Sequence, residues 1–194
     1  MTDFGLAAVS DPDGKRHNSL AGTLEYMAPE VVNGRGHSKN ADWWSLGVLL
    51  FEMLTGSAPF KAKNRSLLQK KILAEKVVMP KFLSHSANRL LTSLLCRDEA
   101  KRLGSGPDGT SNVKAHAFFE SISWERLARR EIEAPFKPSV GGALCTANFD
   151  AEHTGQAAAD SPGATPDGGG AGAFVGYSWL RPSAMPPRDN ARGA

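Results

Sequence analysis

The chain has 194 residues, with 23 Lys and Arg against 20 Asp and Glu and a formal charge of +3. That balance is too mild for a nucleic-acid or polybasic membrane partner. Two cysteines, Cys96 and Cys145, with no C-x-x-C pair argue against a disulfide scaffold and a four-ligand zinc site, and point to a reducing compartment.

The elements follow in chain order. Met1 to Phe4 shows no signal-peptide pattern. Asp42 to Thr55 is apolar on every face, which predicts a helix buried all round. Gly56 suits its C-terminal stop. Its apolar run, Trp43 to Leu54, is broken by Ser45, Gly47 and Glu52 and falls far short of the ~18 residues of a membrane span. Ser66-Leu67-Leu68-Gln69 has capping-box spacing and predicts a second helix starting at Ser66. From Ser84 to Cys96, the residues Ala87, Leu90, Leu91, Leu94 and Leu95 repeat at i, i+3, i+4, i+7 and i+8, an amphipathic helix. Shorter helices are expected from Val113 to Phe119 and, capped by Ser123, from Trp124 to Arg129. No period-two alternation appears, so the expected fold class is mainly α with long irregular connections. Gly155 to Ala173 is mostly Ala, Gly, Pro, Ser and Asp. It cannot bury enough apolar area to offset its ordering entropy and is expected to be disordered alone. Phe174, Tyr177 and Trp179 then form an aromatic island expected to dock on another surface.

Three local patterns carry no function. Gly104 to Gly109 spells G-x-G-x-x-G, but it contains Pro107 and has no strand before it, so a surface loop is expected rather than a nucleotide loop. Asn64-Arg65-Ser66 spells a glycosylation sequon in a chain with no sign of secretion. The five histidines are scattered, and His116, beside Phe118 and Phe119, reads as a packed structural residue.

The informative signal is a series of motifs. Asp3-Phe4-Gly5 is followed by Gly22-Thr23-Leu24-Glu25-Tyr26-Met27-Ala28-Pro29-Glu30, then by Asp42-Trp43-Trp44-Ser45-Leu46-Gly47. Lys101-Arg102-Leu103-Gly104 and Pro135-Phe136-Lys137-Pro138 continue it. Each alone is weak, but the ordered set resembles the protein kinases from one end of the activation segment onward. The double Trp and the last tetrapeptide resemble the AGC serine/threonine kinases, most nearly their ribosomal-protein kinase branch. The likeness covers residues 1–138, and more loosely the tail to Trp179.

The resemblance implies an incomplete C-terminal lobe of the kinase fold, followed by a largely disordered tail. It divides the chain into a partial kinase domain at 1–119, a regulatory tail at 120–180 and a disordered terminus at 181–194. It implies ATP and Mg²⁺ as cofactors, with Asp3 as the metal ligand, since a hard dication takes oxygen ligands. It gives Thr23 the choice of hydroxyl substrates and Leu20 the pocket for the residue after the acceptor. Glu52 would pair with a substrate Arg, with a helix-face salt bridge as the alternative. Glu30 and Arg102 would form a buried structural ion pair. Asp42 would accept backbone hydrogen bonds from a catalytic loop. Ser19, Ser161 and Ser178 match phosphorylation positions, and Phe149, Phe174 and Tyr177 match tail-docking positions. The implied partners are protein substrates and an upstream activating kinase, with no nucleic acid and no membrane. The implied location is the cytoplasm, with the nucleus as an alternative. The tail departs from the family at Ala157-Ala158, His153 and Tyr177, and the activation segment departs at Ala21.

The family's Gly-rich loop, strand Lys, partner Glu and catalytic loop all precede its Asp-Phe-Gly, which here begins at Asp3. The expectation is a chain that transfers no phosphate alone and leaves an apolar patch exposed around the Trp43 to Leu54 helix. Two classes remain, an incomplete copy of a kinase and a non-catalytic half-kinase that docks substrates or regulators, beside the bland case of a product that never folds.

Overall fold

A computed structural model describes residues 4–9 and 16–157. They divide into two compact units, one within 1–133 and one within 134–194. The described residues are helical, and the nearest thing to a strand among them is one antiparallel bridge between His17 and His37.

The first unit runs through a 3₁₀ turn at Leu24–Tyr26 and a short helix α1, Pro29–Val32, whose Pro29 occupies the first turn, where no N–H is needed. The long helix α2 spans Asn40–Thr55. It stops where expected, with Gly56 in the left-handed region (φ 76°) and its N–H on the Glu52 carbonyl at 2.7 Å. Helix α3 is Arg65–Ala74, α4 is His85–Leu94, α5 is Gly109–Lys114 and α6 is Trp124–Ala128.

The amphipathic reading of α4 holds. Ala87, Leu90, Leu91 and Leu94 are buried, and the Ser84 hydroxyl accepts the Ala87 N–H at 3.1 Å. Ser123 likewise accepts the Arg126 N–H at 3.4 Å to cap α6. Trp44, Val48 and Phe51 of α2 meet Leu68, Ile72 and Leu91 in one core. Each such side chain contributes about 1.5–3 kcal/mol by leaving water. Gly47 allows α2 to lie close on α4, since a Cβ there would meet the Leu94 Cβ at 2.9 Å. A pair of stacked aromatic rings, flanked by an arginine on each side, crosses this core. Arg102 lies over Trp44 (5.5 Å), Trp44 is parallel to Phe60 (6.2 Å), and Arg97 lies over Phe60 (5.7 Å).

Four local expectations need correction. Helix α2 is not buried all round: Leu46, Leu49 and Met53 are 36%, 44% and 65% exposed along one face. Helix α3 is capped by Asn64, whose backbone is extended and whose side-chain oxygen accepts the Leu67 N–H at 2.8 Å, so Ser66 sits inside the first turn. The segment from Val113 to Phe119 is not one helix. Helix α5 begins earlier, at Gly109, and a separate 3₁₀ turn covers Ala117–Phe119, with the His116 Nδ1 accepting the Phe118 N–H at 3.2 Å. The surface loop expected from Gly104 to Gly109 is exposed at Gly106, Pro107 and Asp108, but its end glycines, Gly104 and Gly109, are buried. Gly104 has φ 98°, and a Cβ on it would come within 2.4 Å of the Trp43 ring, so this turn packs beneath α2.

In the second unit, α7, Ala151–Thr154, is capped by the Asp150 carboxylate on the Glu152 N–H at 3.2 Å. Gly155 closes it. The compositional tail from 158 onward, with its aromatic island, lies outside the described residues. Among the described residues, no helix is long and apolar enough to cross a membrane.

Candidate functional site

Glu30 and Arg102 come from segments 72 residues apart and meet as a forked ion pair, 2.7 and 2.9 Å. The Arg102 side chain is fully buried and that of Glu30 nearly so. Arg102 has two more acceptors, the carbonyls of Cys96 (2.9 Å) and Asn40 (2.7 Å). One guanidinium therefore ties the start of α1, the start of α2 and the loop after α4 into one rigid corner. Burial raises the Glu30 carboxyl pKa. The Arg102 hydrogen bond, a backbone N–H and the charges of Arg102 and Arg16 outweigh it and hold that carboxyl below its ordinary value.

This corner supports a groove of about 230 Å³ between residues 6–8, the 19–23 segment and the N-terminal half of α2. Ser19, Thr23 and Asp42 all line it. Thr23 and Ser19 are exposed, as is Asp42 in the first turn of α2. Leu20, half exposed, and Glu52 are not among its lining residues. The Ser45 hydroxyl, donating to the Tyr26 carbonyl at 2.9 Å, fixes the groove floor to α2.

Glu52 is partly buried on α2 and accepts the Tyr26 phenol O–H through Oε2. That bond raises the Tyr26 pKa. The alternative of a helix-face salt bridge is not what the structure has: no ion pair involves Glu52 among the described residues. Its second oxygen is left for another donor. Sequence reasoning missed Tyr26 and Ser45 as supports. Both lie inside quoted motifs, but their role depends on a pairing between segments about twenty residues apart that no local pattern reveals.

Against Trp43, an apolar hollow of about 380 Å³ is lined by Trp43, Leu46, Pro107, Gly104 and Gly109, with Asp42 also in its wall. It adjoins the exposed Leu46, Leu49 and Met53 stripe. Asp42 thus borders both the polar groove and the bare apolar face.

Phe149 is 69% exposed in the second unit. Asp3, Ser161, Phe174, Tyr177 and Ser178 lie outside the described residues. A six-coordinate Mg²⁺ wants several oxygen ligands. Among the described residues no group of three or more His, Cys, Asp or Glu side chains gathers around a possible metal position.

A model of the protein kinase domain matches residues 1–119. Ribosomal protein S6 kinase 2 alpha of Gallus gallus is 50% identical over 185 residues, covering 95% of this chain and 25% of that protein. Ribosomal protein S6 kinase alpha-1 of Homo sapiens gives the same identity and coverage. The serine/threonine-protein kinase AtPK2/AtPK19 of Arabidopsis thaliana is 46% identical over 183 residues, 94% of this chain and 38% of that protein. The chain thus spans between a quarter and two fifths of the length of these relatives.

Proposed function

Because the chain belongs to the protein kinase family, we propose that it is the substrate-docking part of a serine/threonine kinase that phosphorylates basic protein substrates. The observation that carries this reading is the division of α2. One face is sealed by Trp44, Val48 and Phe51, while Leu46, Leu49 and Met53 stand bare beside a groove lined by Thr23 and Asp42. A platform that is completed by further polypeptide needs both a rigid floor and such an uncovered apolar face. The half-identity to ribosomal S6 kinases supports the same reading.

In this proposal, Thr23 and Leu20 position the acceptor hydroxyl and the residue after it. Glu52, oriented by Tyr26, presents its second oxygen to a substrate guanidinium. Asp42 steadies the backbone of a neighbouring catalytic loop. Asp3 would hold Mg²⁺, and ATP bound with it would supply the γ-phosphoryl group. Ser19, Ser161 and Ser178 accept phosphate from an upstream kinase. Residues 120–180 act as a tail that docks through Phe149, Phe174 and Tyr177. Two free cysteines suit a reducing, cytoplasmic setting. The 194 residues hold no His-Arg-Asp catalytic loop, so on their own they are inactive.

The test uses a polypeptide in which these residues follow a Gly-rich loop, a strand Lys and a catalytic loop. There, Glu52→Gln raises KM for an Arg-containing serine peptide about tenfold, the worth of one charge-assisted hydrogen bond, and leaves kcat nearly unchanged. A peptide without the Arg is unaffected. Equal kinetics for both peptides in the variant and the parent would remove Glu52 from substrate binding. A folded parent that phosphorylates nothing would favour the non-catalytic docking module.

A further inference from the structure

A second cleft, of about 470 Å³, opens where Arg16, the Asn33 to Arg35 loop, Leu73 of α3 and the Arg97 to Glu99 segment converge. It shares no lining residue with the groove at Thr23. Three arginines face it against two carboxylates, and one of these, Glu30, is already neutralised from behind by buried Arg102.

The three arginines are held differently. Arg16 forks onto Glu99 at 2.6 and 2.8 Å and donates to the Gly36 carbonyl at 2.7 Å. Arg97 is partly buried. It donates Nε to the Ile72 carbonyl at 2.8 Å and Nη2 to the carbonyls of Lys71 and Glu75, and it lies over Phe60. Those acceptors are neutral. Among the described residues, Arg97 has no carboxylate partner, and neither does exposed Arg35. Burial pulls the Arg97 pKa below its ordinary value, as expected for a desolvated cation without a counter-ion. Its guanidinium is thus fixed before any ligand arrives, so little side-chain entropy is lost on binding.

We propose that this cleft is a docking site for a phosphorylated side chain of a partner protein, gripped by Arg35 and Arg97, with Arg16 joining when the ligand displaces Glu99. A dianion with three acceptor oxygens matches several guanidinium forks better than a single carboxylate does. The cleft is also larger than a bare phosphate requires, and Pro29 and Leu73 give it apolar wall for the flanking peptide. Ser19 lines the other groove and is not placed to fill this one. The proposal does not depend on catalysis by this chain.

Fluorescence anisotropy on the 194-residue chain tests it, with a fluorescein-labelled pentapeptide bearing one phosphoserine among alanines, its unphosphorylated twin and inorganic phosphate as competitor. The phosphopeptide binds and its twin does not. Arg35→Ala weakens binding about tenfold to a hundredfold, and Arg35→Lys recovers part of it. Glu99→Gln tightens binding by freeing Arg16. Arg89→Ala, outside the cleft, changes nothing. Arg97→Ala also removes packing on Phe60, so exposed Arg35 is the deciding position, with circular dichroism confirming equal helix content. Equal binding of the twin, indifference to Arg35→Ala, or weaker binding by Glu99→Gln would overturn the proposal. Inorganic phosphate competing as strongly as the phosphopeptide would overturn the choice of a protein partner in favour of a free-anion site.

Discussion

Replacing Glu30 with Gln removes one charge and almost no volume. It leaves Arg102, whose side chain is wholly buried, with only the carbonyls of Cys96 and Asn40 and one amide oxygen. An uncompensated buried charge costs about 3–5 kcal/mol. With a urea m-value of about 1–3 kcal/mol/M for a domain of this size, the unfolding midpoint should fall by about 1–5 M. Arg102→Met costs a similar amount, because it strips Glu30 of its partner and also orphans two carbonyls. Since the two side chains share one fork, the double variant should lose at least about 2 kcal/mol less than the sum of the singles. The assay is urea unfolding followed by far-UV circular dichroism. A Glu30→Gln loss below about 1 kcal/mol, or additivity within about 0.5 kcal/mol, would refute the reasoning that this pair locks the corner under the groove.

Acid should act through the same pair. The folded Glu30 pKa is lowered, so its contribution is complete above the unfolded carboxyl pKa of about 4.3 and is lost as pH falls through the folded value. Glu30→Gln should therefore flatten the acid limb of a stability–pH profile below about pH 4, and a parallel profile would contradict it. His116 has its pKa lowered by burial first and by Arg89 second, so protonating it opposes folding, and stability should also decline as pH drops below about 6.5. His116→Gln should remove that shallower slope. At the start of α3, Asn64→Ala should cost about 1 kcal/mol and Ser66→Ala no more than about 0.5, read from thermal melts; the reverse order would restore Ser66 as the cap. On α2, joint Leu49→Lys and Met53→Lys should raise solubility while moving stability by no more than about 0.5 kcal/mol each. A collapse of the melt would mean that those side chains are covered.

Much of the fold was legible because it rests on local periodicity. The α4 stripe, the Ser123 cap of α6 and the Gly56 stop each depend on residues within a few positions of one another. The misreadings came where tertiary contacts decide. The sequence of α2 is apolar all round, yet Trp44, Val48 and Phe51 are covered while Leu46, Leu49 and Met53 are bare, so composition could not distinguish a buried face from a bare one. Asn64 outranked Ser66 because the extended backbone at 64 sets the helix start, and no pattern of side chains reports that angle. The buried turn at Gly104 is explained by Trp43, some sixty residues earlier. At the site, motif order pointed to Glu30, Arg102 and Thr23 as a set. The Tyr26 support of Glu52 and the arginine cleft became visible only once distant segments were side by side.

The central claim is that these residues form a docking platform and take their chemistry from further polypeptide. Transfer of ³²P from γ-labelled ATP to an Arg-rich serine peptide tests it most directly. The purified 194-residue chain should give background counts, and the same residues following a Gly-rich loop, a strand Lys and a catalytic loop should give steady transfer that is abolished by Asp3→Ala. Transfer by the 194 residues alone, or a folded extended chain whose activity survives Asp3→Ala, would contradict it.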